Sequence, residues 1–388
     1  MKIIRRILWS AVLIASFMSI PTSHAQQNIS SSPKFLVFLG TYTNKTHSKG
    51  IYAFEFDSAT GKLTAKGVAA ETPDPSWVIV HPNRKFLYAA NETGKASTVS
   101  AFALDAKTGK LTALNQVSPQ GEDPCYLSLD KTGKYVFAAN YSSGTVTAFP
   151  ILPDGQLGKP TATPKDQGAL GPNKERQEAP HAHWIEPSSD NRFVYVADLG
   201  LDRVLLYKFD ATSGTLGQGM PVDKFSATLA PGAGPRHTTF APNGKFMYVL
   251  GEMSSSVTVF ANDGNNAYRS IQEISALPQG FKGRNDAAEI AIHPSGKFLY
   301  TANRGEDTIA IFSIDPVKGT LKHIENVPTQ GKEPRNFAID PTGRYLLAEN
   351  QNSDTIVEFK IDPTTGKLTP TGEVIHVPAP VCLTFLSN

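Results

Sequence analysis

The stretch Lys297-Phe298-Leu299-Tyr300 joins a basic residue to the start of an apolar strand, and the chain repeats this pattern about every 50 residues. Six further copies share the order of a basic residue followed by three aromatic or aliphatic residues: Lys34–Val37, Lys85–Tyr88, Lys134–Phe137, Arg192–Tyr195, Lys245–Tyr248 and Arg344–Leu347. Internal repeats of this length are typical of propellers and solenoid arrays. The sequence therefore predicts seven copies of one supersecondary unit.

Each copy of the pattern is one of four strands in its repeat. A strand such as Thr308–Phe312 follows it, and a glycine turn such as Thr365-Gly366-Lys367-Leu368 then leads into another strand. An earlier strand, for example Phe337–Ile339, precedes every copy except the first. These β-branched and aromatic runs are bounded by Gly, Pro and Asp, and no amphipathic helix of useful length interrupts them. We therefore predict an all-β chain with four strands per repeat.

The two ends of the chain together supply the four strands of one repeat. The first repeat lacks its opening strand, whereas the chain finishes on an extra strand, Val381–Phe385. Pairing this strand beside Phe35–Gly40 would close seven blades into a ring and remove the exposed sheet edges. We therefore predict one seven-bladed β-propeller over residues 34–388, closed by the C-terminal strand in blade one. A β-helix or a pair of sandwiches would not explain the missing and surplus strands together.

The first 25 residues have the composition of a secretion signal. Three basic residues precede an apolar core at 7–20 that is too short to span a bilayer comfortably, and a small-residue cleavage pattern ends at Ala25. We expect cleavage after Ala25, a flexible linker over 26–33, and a periplasmic or secreted protein without a membrane segment. An uncleaved anchor is the alternative interpretation.

Charge and cysteine content exclude several classes of function. Removing the three basic residues of the signal from the 37 Lys and Arg leaves 34 against 35 Asp and Glu, without a Lys/Arg-rich stripe. A near-neutral chain of this kind has no basic surface of the type that binds nucleic acid, so we expect any anionic partner to be small. Cys125 and Cys382 would be separated by a whole blade, and we expect free buried thiols rather than a disulfide. We expect no metal, no other cofactor and a monomer.

Candidate functional residues are those that break the repeat on one face of the predicted ring. On the other face the loops are interchangeable Pro and Gly turns, and we interpret His81 and His293 there as turn residues. The site face, as we call it, is formed by the entry to the innermost strand and the end of the next strand of each blade. Its reactive residues are His181, His183, Arg236, His237, Glu252, Glu289, Arg304, Arg335 and Asn336.

An alignment of the blades assigns these residues to columns. With Pro180 equivalent to the prolines that precede the other inner strands, His181 shares a column with Arg236. His183 then falls in an otherwise apolar column, where a histidine needs an explanation. At the end of the second strand, the alignment places Thr41 in the column of Glu252.

Two arginines beside Glu and His suit the opening of an anionic ester ring. Guanidinium groups bind carboxylate or phosphate bidentately and stabilise an oxyanion, while Glu or His can transfer a proton. Because the sequence has no Gly-x-Ser-x-Gly elbow, we expect water to be the nucleophile. Two other interpretations remain open. The residues could form a structural ring of salt bridges, or His181 and His183 could bind a metal for which no third ligand is assured.

Four motifs at these positions resemble the lactonase family of seven-bladed propellers, which includes bacterial 6-phosphogluconolactonases and carboxymuconate cyclases. They are Pro180–His183, Gly234–His237, Asn303–Gly305 and Pro334–Phe337. The resemblance implies a catalytic group of His183 or His181 with Arg236, Glu252 and Arg304. The expected substrate-binding residues are His181, His237, Glu289, Arg335 and Asn336. The resemblance also implies hydrolysis of a sugar-acid lactone, or the related lactonising ring closure.

We therefore predict a lactone hydrolase that opens an anionic sugar-acid lactone with activated water at the channel rim. Glu252 is the preferred general base and His183 the competing candidate, and Glu252→Gln is expected to depress turnover while leaving the fold intact. An exported enzyme would meet an unphosphorylated or another carboxylate-bearing lactone rather than the phosphorylated cytoplasmic substrate best known in the family. A muconate-type cyclase and a non-catalytic propeller that binds an anion or a protein are the alternatives.

Overall fold

The computed structural model describes residues 33–217, 227–264 and 268–386. The expected signal peptide at 1–25 and all but the last residue of the expected linker lie outside the described residues. The described residues form strands joined by turns, with single-turn 3-10 helices at Gly94–Ala96 and Gln351–Ser353. No helix in these ranges is long and apolar enough to cross a membrane.

The described ranges contain 28 strands, which form seven antiparallel sheets. In chain order the strands are β1 (Lys34–Thr41), β2 (Gly50–Asp57), β3 (Leu63–Glu71), β4 (Pro75–Val80), β5 (Phe86–Asn91), β6 (Thr98–Leu104), β7 (Leu111–Val117), β8 (Pro124–Leu129), β9 (Tyr135–Asn140), β10 (Thr145–Pro150), β11 (Ala182–Pro187), β12 (Phe193–Asp198), β13 (Arg203–Asp210), β14 (Thr215–Leu216), β15 (Ala227–Thr228), β16 (Pro235–Phe240), β17 (Phe246–Gly251), β18 (Ser256–Asn262), β19 (Tyr268–Ser275), β20 (Asp286–Ile292), β21 (Phe298–Arg304), β22 (Thr308–Ile314), β23 (Leu321–Pro328), β24 (Pro334–Ile339), β25 (Tyr345–Asn350), β26 (Thr355–Ile361), β27 (Leu368–His376) and β28 (Pro380–Phe385).

The seven sheets are the blades of a propeller, and each begins with its inner strand. Their strand orders are β28-β1-β2-β3, β4-β5-β6-β7, β8-β9-β10, β11-β12-β13 with β14 and β15, β16-β17-β18-β19, β20-β21-β22-β23 and β24-β25-β26-β27. The predicted all-β, seven-bladed propeller is confirmed.

Blade one is closed by the C-terminal strand. In the antiparallel pairing of β28 with β1, Phe385 lies opposite Val37 and Cys382 lies opposite Gly40. The prediction that Val381–Phe385 supplies the missing inner strand is therefore confirmed. Cys382 and Cys125 are both buried free thiols, in blades one and three.

The outer strands of blades three and four depart from the regular pattern. After β10, the described chain makes isolated bridges in place of a fourth strand: Thr145 with Lys165, Ala148 with Ala162 and Ile151 with Leu157. Pro160 and Pro164 lie in this stretch, and proline has no N–H to donate to a sheet ladder. In blade four, the outer position beside β13 is shared by the short strands β14 and β15.

Residues of the repeat link neighbouring blades. The hydroxyl of Tyr300, which ends one copy of the basic-strand pattern, donates to the carbonyl of Gly366 in the next blade at 2.8 Å. In the turns on the face opposite the site face, His293 Nε2 lies 2.7 Å from the carbonyl oxygen of Gly343 in the next blade. His81 contacts the following blade in the same way. These histidines therefore hold turns together, away from the site face.

Candidate active site

The pairing between the two inner strands determines which residues of each blade reach the site face. In blade five, Pro235 pairs with Gly251. In blade four, the residue that pairs with the corresponding Asp198 is Ala182. Ala182, and not Pro180, therefore occupies the equivalent position.

This register corrects the alignment of blade four. His183, rather than His181, shares a column with Arg236 and Arg335, and Ile185 occupies the apolar column. The alignment is wrong here because the proline before β11 lies two residues earlier than the equivalent prolines of most other blades. His183 is consequently a site-face residue and needs no special explanation as a core histidine.

A smaller correction, of one residue, applies to blade one. Thr41 pairs with Pro380, so Tyr42 rather than Thr41 occupies the position equivalent to Glu252. Thr41 is fully buried and its hydroxyl donates to the carbonyl of Gly50 at 2.6 Å. The corrected register brings Tyr42 to the site face, where the sequence alignment did not place it.

Glu252 lies at the centre of an ion-pair cluster at the channel mouth. Its Oε2 is 3.1 Å from Arg236 Nε and 3.3 Å from Arg304 Nη2, and its Oε1 is 2.6 Å from Arg176 Nη2. The contact with Arg236 Nε is an ion pair without hydrogen-bond geometry. His183 Nε2 lies 3.9 Å from Oε2. The structure thus brings Glu252, His183, Arg236 and Arg304 together from blades four, five and six.

Arg176 is a member of this cluster that comparison of the blades does not reveal. It belongs to the irregular connection between β10 and β11, where Gln177 N–H donates to the carbonyl of Asn173. Gln177 Nε2 then donates to Asp202 Oδ1 at 2.8 Å, which fixes the loop against blade four. A residue in an insertion has no equivalent in other blades, although the charged run 174–178 marks the segment in the sequence.

The charges around Glu252 make it a poor proton acceptor. Burial alone would raise the pKa of this carboxyl, but Arg304, Arg236, His183 and Arg176 together hold its pKa well below the usual range. A base with so low a pKa has little driving force for taking a proton. The geometry therefore does not favour Glu252 as the general base, and suits it to holding the arginines in place.

His183 is the buried imidazole of the cluster. Burial first, and then the neighbouring Arg236 and His237, hold its pKa well below the ordinary value, so the ring is neutral at neutral pH. Its Nε2 faces Glu252, and its Nδ1 lies 3.7 Å from Sγ of Cys125. A neutral imidazole has a free lone pair with which it can accept a proton.

His181 is separate from this cluster. Its ring stacks on Tyr141, its Nδ1 lies 3.0 Å from the Tyr141 carbonyl oxygen, and its Nε2 lies 3.1 Å from Glu178 Oε1. Because protein groups engage both ring nitrogens, His181 and His183 do not offer a free pair to one metal ion. In the described part of the chain, no group of three or more His, Cys, Asp or Glu residues is placed to hold a metal ion.

One residue deeper along the inner strands, side chains from five blades fill the channel. The Trp77 ring contacts Tyr126 and reaches His237, with ring centroids 4.1 and 5.3 Å apart. His237 Nδ1 lies 3.1 Å from Glu289 Oε2, which also accepts a hydrogen bond of 2.6 Å from Asn336 Nδ2. Burial raises the pKa of Glu289 to about 7. These five residues, which we call the floor, lie one residue further along the inner strands than the residues that surround Glu252.

Arg335 of blade seven differs from the other arginines. Its guanidinium carbon lies 5.3 Å from the centre of the Tyr42 ring, whose hydroxyl donates to Glu92 Oε2 at 2.7 Å. Across the ranges 33–217, 227–264 and 268–386, Arg335 makes no side-chain hydrogen bond or ion pair. Burial lowers its pKa, but Tyr42, Glu92 and Glu252 outweigh burial and raise the pKa of Arg335 above its ordinary value.

The loop that carries Arg176 begins at a buried pair of carboxyls. Asp166 accepts a hydrogen bond from the hydroxyl of Tyr207, and Asp198 Oδ1 accepts the backbone N–H of His181 at 3.0 Å. Burial, followed by the charge of Asp198, raises the pKa of Asp166 well above its ordinary value. Burial and this mutual repulsion therefore make the pair keep a proton to higher pH than an exposed carboxyl would.

We expect Asp166→Asn to remove a pH dependence of stability. The folded pair keeps a proton that the unfolded chain loses above about pH 4, so stability is greatest below that pH. Stability then falls by about 1.4 kcal/mol per pH unit until the folded pKa is passed. The new amide can donate to Asp198 without titrating. Urea unfolding between about pH 5 and pH 8 should therefore give a flatter profile of unfolding free energy.

Glu175→Gln is the matched control for this substitution, because it removes an exposed carboxyl from the same loop. It should retain the slope of the unmodified protein. Equal slopes for Asp166→Asn and the unmodified protein would show that the carboxyls do not share a proton.

A buried cluster of His, Glu and Arg side chains at one mouth of a closed propeller channel is typical of an enzyme site for a small polar molecule. The family model described as "Lactonase, 7-bladed beta-propeller" matches residues 36–385. The chain therefore belongs to the lactonase family of seven-bladed β-propellers, and the resemblance seen in the motifs is confirmed.

Relatives with names or solved structures cover nearly the whole chain. A 6-phosphogluconolactonase of Bacillus subtilis is 37% identical over 354 residues, which cover 91% of this chain and 99% of that protein. A solved periplasmic gluconolactonase of Pseudomonas aeruginosa has a TM-score of 0.85 and 32% identity, covering 92% of this chain and 99% of that chain. A Bacteroides fragilis structure, solved as a candidate 6-phosphogluconolactonase, has a TM-score of 0.85 and 36% identity with the same coverage. These relatives support the enzyme class predicted from the sequence, a lactone hydrolase.

Proposed function

We propose that this protein hydrolyses a sugar-acid lactone at the site face, with His183 as the general base. The observation that carries the proposal is the convergence of His183, Glu252, Arg236 and Arg304 above a closed floor. Membership of the lactonase family supports the reaction type. Both pKa values are depressed, but Arg176, Arg236 and Arg304 engage the Glu252 carboxylate, whereas the neutral His183 ring keeps a free lone pair, and this is the reason for preferring His183 as the base.

The reaction begins with a water molecule between the lactone and His183. Water attacks the carbonyl carbon while one of its protons passes to Nε2, and the carbonyl oxygen gains negative charge. Arg236 and Arg304 stabilise this oxyanion, and Arg236 Nη2 is suited to do so because no described residue bonds to it. The tetrahedral intermediate then breaks the ring C–O bond. The imidazolium returns the proton to the leaving oxygen, and the product is the open-chain hydroxy acid.

Glu252 acts on this reaction through its neighbours. Its carboxylate fixes Arg236 and Arg304 and lies 3.9 Å from the nitrogen that receives the proton. As His183 becomes an imidazolium, the nearby negative charge lowers the energy of that state. Glu252 is therefore a positioning residue. Its carboxylate balances the positive charge of His183 during the step in which the imidazole ring carries the proton.

The composition of residues 1–25 and the names of the relatives support a location and a substrate class. The signal-like composition of residues 1–25 supports export to the periplasm or the medium. An exported enzyme would act on an unphosphorylated or carboxylate-bearing lactone, and one relative is a periplasmic gluconolactonase. A closed ring leaves no inner sheet edge to be covered by a partner, which supports a monomer.

Proton release at constant pH tests the reaction. Gluconolactone, its phosphate ester and carboxylate-bearing sugar lactones should be compared with their spontaneous hydrolysis. At least one should be hydrolysed faster with enzyme, and Arg236→Ala should lower kcat/KM by roughly 100- to 1000-fold. Arg192→Ala removes an exposed arginine on the opposite face and is the control. Proton release that never exceeds the spontaneous rate would contradict lactone hydrolysis.

A further inference from the structure

We infer that the channel holds a second binding site, at the mouth opposite the site face, which takes a neutral sugar in its ring form. The inference goes beyond the proposed function and does not depend on it. A cavity of about 510 Å³, which we call the far cavity, lies at this mouth, and its volume is in the range of sites that hold small ligands. The lining residues that carry the inference are Trp77, Tyr126, Ser128, Glu186 and Thr384.

The far cavity lies on the other side of the floor from the Glu252 cluster. Trp77 and Tyr126 belong both to the floor and to the lining of the far cavity. His81 and Pro82, from a turn on the face opposite the site face, also line it. Pro82 is exposed, so a ligand can enter from solvent.

Glu186 is the one charged residue in the inner-strand column two positions beyond the floor column. The other blades have Ile79, Ser128, Thr239, Ala291, Ala338 and Thr384 there. Glu186 Oε1 accepts a hydrogen bond of 3.1 Å from the Tyr126 hydroxyl, and no described residue donates a hydrogen bond to Oε2. Burial raises the pKa of this carboxyl. A perturbed carboxyl that lines a cavity is typical of a functional site.

Ser128, in the same column of the neighbouring blade, has a hydroxyl without a partner. The residue is 9% exposed, and its Oγ makes no hydrogen bond within the described part of the chain. A buried hydroxyl that pairs with nothing is unfavourable, so its presence needs an explanation. A ligand with hydroxyl groups would supply partners both for Ser128 and for the second oxygen of Glu186.

Aromatic rings form another side of the far cavity. The Trp77 ring is half-buried and packs on Tyr126 with ring centroids 4.1 Å apart. The C–H face of a sugar ring packs well on an aromatic ring, while the hydroxyl groups at the ring edge form hydrogen bonds. An aromatic wall with a few convergent polar groups therefore suits a neutral sugar ring.

Other classes of ligand fit the far cavity less well. An anion would be repelled by Glu186, and Arg84, the one Lys or Arg side chain of the lining, is exposed. An apolar molecule would leave Glu186 and Ser128 unpaired. A quaternary ammonium ion could contact the aromatic rings, but it has no group that would pair with the Ser128 hydroxyl. In the described ranges, no group of three or more His, Cys, Asp or Glu residues could hold a metal ion.

Tryptophan fluorescence tests the inference without any turnover. In the described chain the tryptophans are Trp77 and Trp184, and Trp184 is buried at 1% exposure, so a ligand in the far cavity should act on Trp77. The probes are the methyl pyranosides of glucose, galactose and mannose, with sorbitol, gluconate and choline as comparisons. At least one pyranoside should change the fluorescence in a saturable manner. Sorbitol, which has no ring face, gluconate and choline should not.

Variants on the two sides of the floor locate the bound sugar. Glu186→Gln and Ser128→Ala should each raise Kd about 10-fold or more. Ser128→Ala should not lower the Tm, because the ligand-free hydroxyl has no partner to lose. Glu71→Gln, which removes an exposed carboxyl on β3, and Arg304→Ala, on the site face, should leave Kd unchanged.

The outcomes separate this inference from the proposed function. If no lactone is hydrolysed, the proposed function fails while sugar binding still tests the far cavity. No response to any of the three pyranosides would overturn the inference. A response that Arg304→Ala abolishes, and that Glu186→Gln and Ser128→Ala leave unchanged, would place the sugar on the site face and also overturn it. A response to choline in place of the sugars would show a cation site instead.

Discussion

Glu252→Gln is expected to lower kcat/KM at least 100-fold and to destabilise the fold. The substitution leaves Arg176, Arg236 and Arg304 without their shared counter-charge, and Arg236 is only 3% exposed. Removing one partner from a buried ion pair typically costs about 3–5 kcal/mol. The ion pairs are the reason to expect a loss of stability, which the sequence alone did not predict. Urea unfolding and steady-state kinetics measure the two effects, and Glu175→Gln is an exposed control.

The pH dependence of kcat/KM in the same variant distinguishes the two candidate bases. Glu252 raises the pKa of His183, so its removal lowers that pKa further. If His183 is the base, the fall of kcat/KM on the acid side moves to lower pH in Glu252→Gln. If Glu252 is the base, that fall disappears with the carboxyl. Full turnover in Glu252→Gln would contradict both the positioning role and the catalytic role of Glu252.

Deleting Pro380–Asn388 is expected to abolish the folded monomer. Val381, Cys382, Leu383 and Leu386 are buried, and burial of such side chains contributes roughly 1.5–3 kcal/mol each, or about 6–12 kcal/mol together. A typical domain has a total stability of about 5–15 kcal/mol. The deletion would also expose β1 as an open edge, which favours aggregation. Loss of a cooperative thermal transition and of the monomer peak in size-exclusion chromatography would show this.

Two further variants test whether the loss of β28 itself causes the effect of the deletion. Removing only Ser387 and Asn388 keeps the whole of β28 and should leave Tm nearly unchanged. In the second, the β28 segment is joined through a short linker to the start of β1, because Leu386 N–H already donates to the carbonyl of Leu36. Recovery of the monomer by this permuted chain is expected. A deletion of Pro380–Asn388 that unfolds at an unchanged temperature would contradict the closure.

Much of the fold could be predicted from the sequence because its determinants are local and repeated. The basic-strand pattern, the glycine turns and the unmatched terminal strands specify the number of blades and their closure. The outer edge of blade three is harder to predict from the sequence. Pro160 and Pro164 interrupt its ladder there, so strand periodicity alone overestimates the regularity of that blade.

The site was predictable in its residue types and only partly in its geometry. Residues at repeated positions, such as Arg236 and Glu252, are found by comparing blades. A small shift changes the column to which a side chain belongs, and the alignment misplaces His183 by two residues and Thr41 by one. Arg176 lies in an insertion, and only its distance from Glu252 reveals its membership of the cluster.

The pairing of Thr41 with Pro380 also affects how the chain is made. A ribosome that has produced β1 must add about 340 more residues before β28 exists, which takes roughly 17–70 s at 5–20 residues per second. Throughout that interval, blade one of the nascent chain has no inner strand and the ring cannot close. Completion of the fold therefore waits for the synthesis of β28, and a nascent chain that stops before β28 remains a substrate for chaperones and proteases.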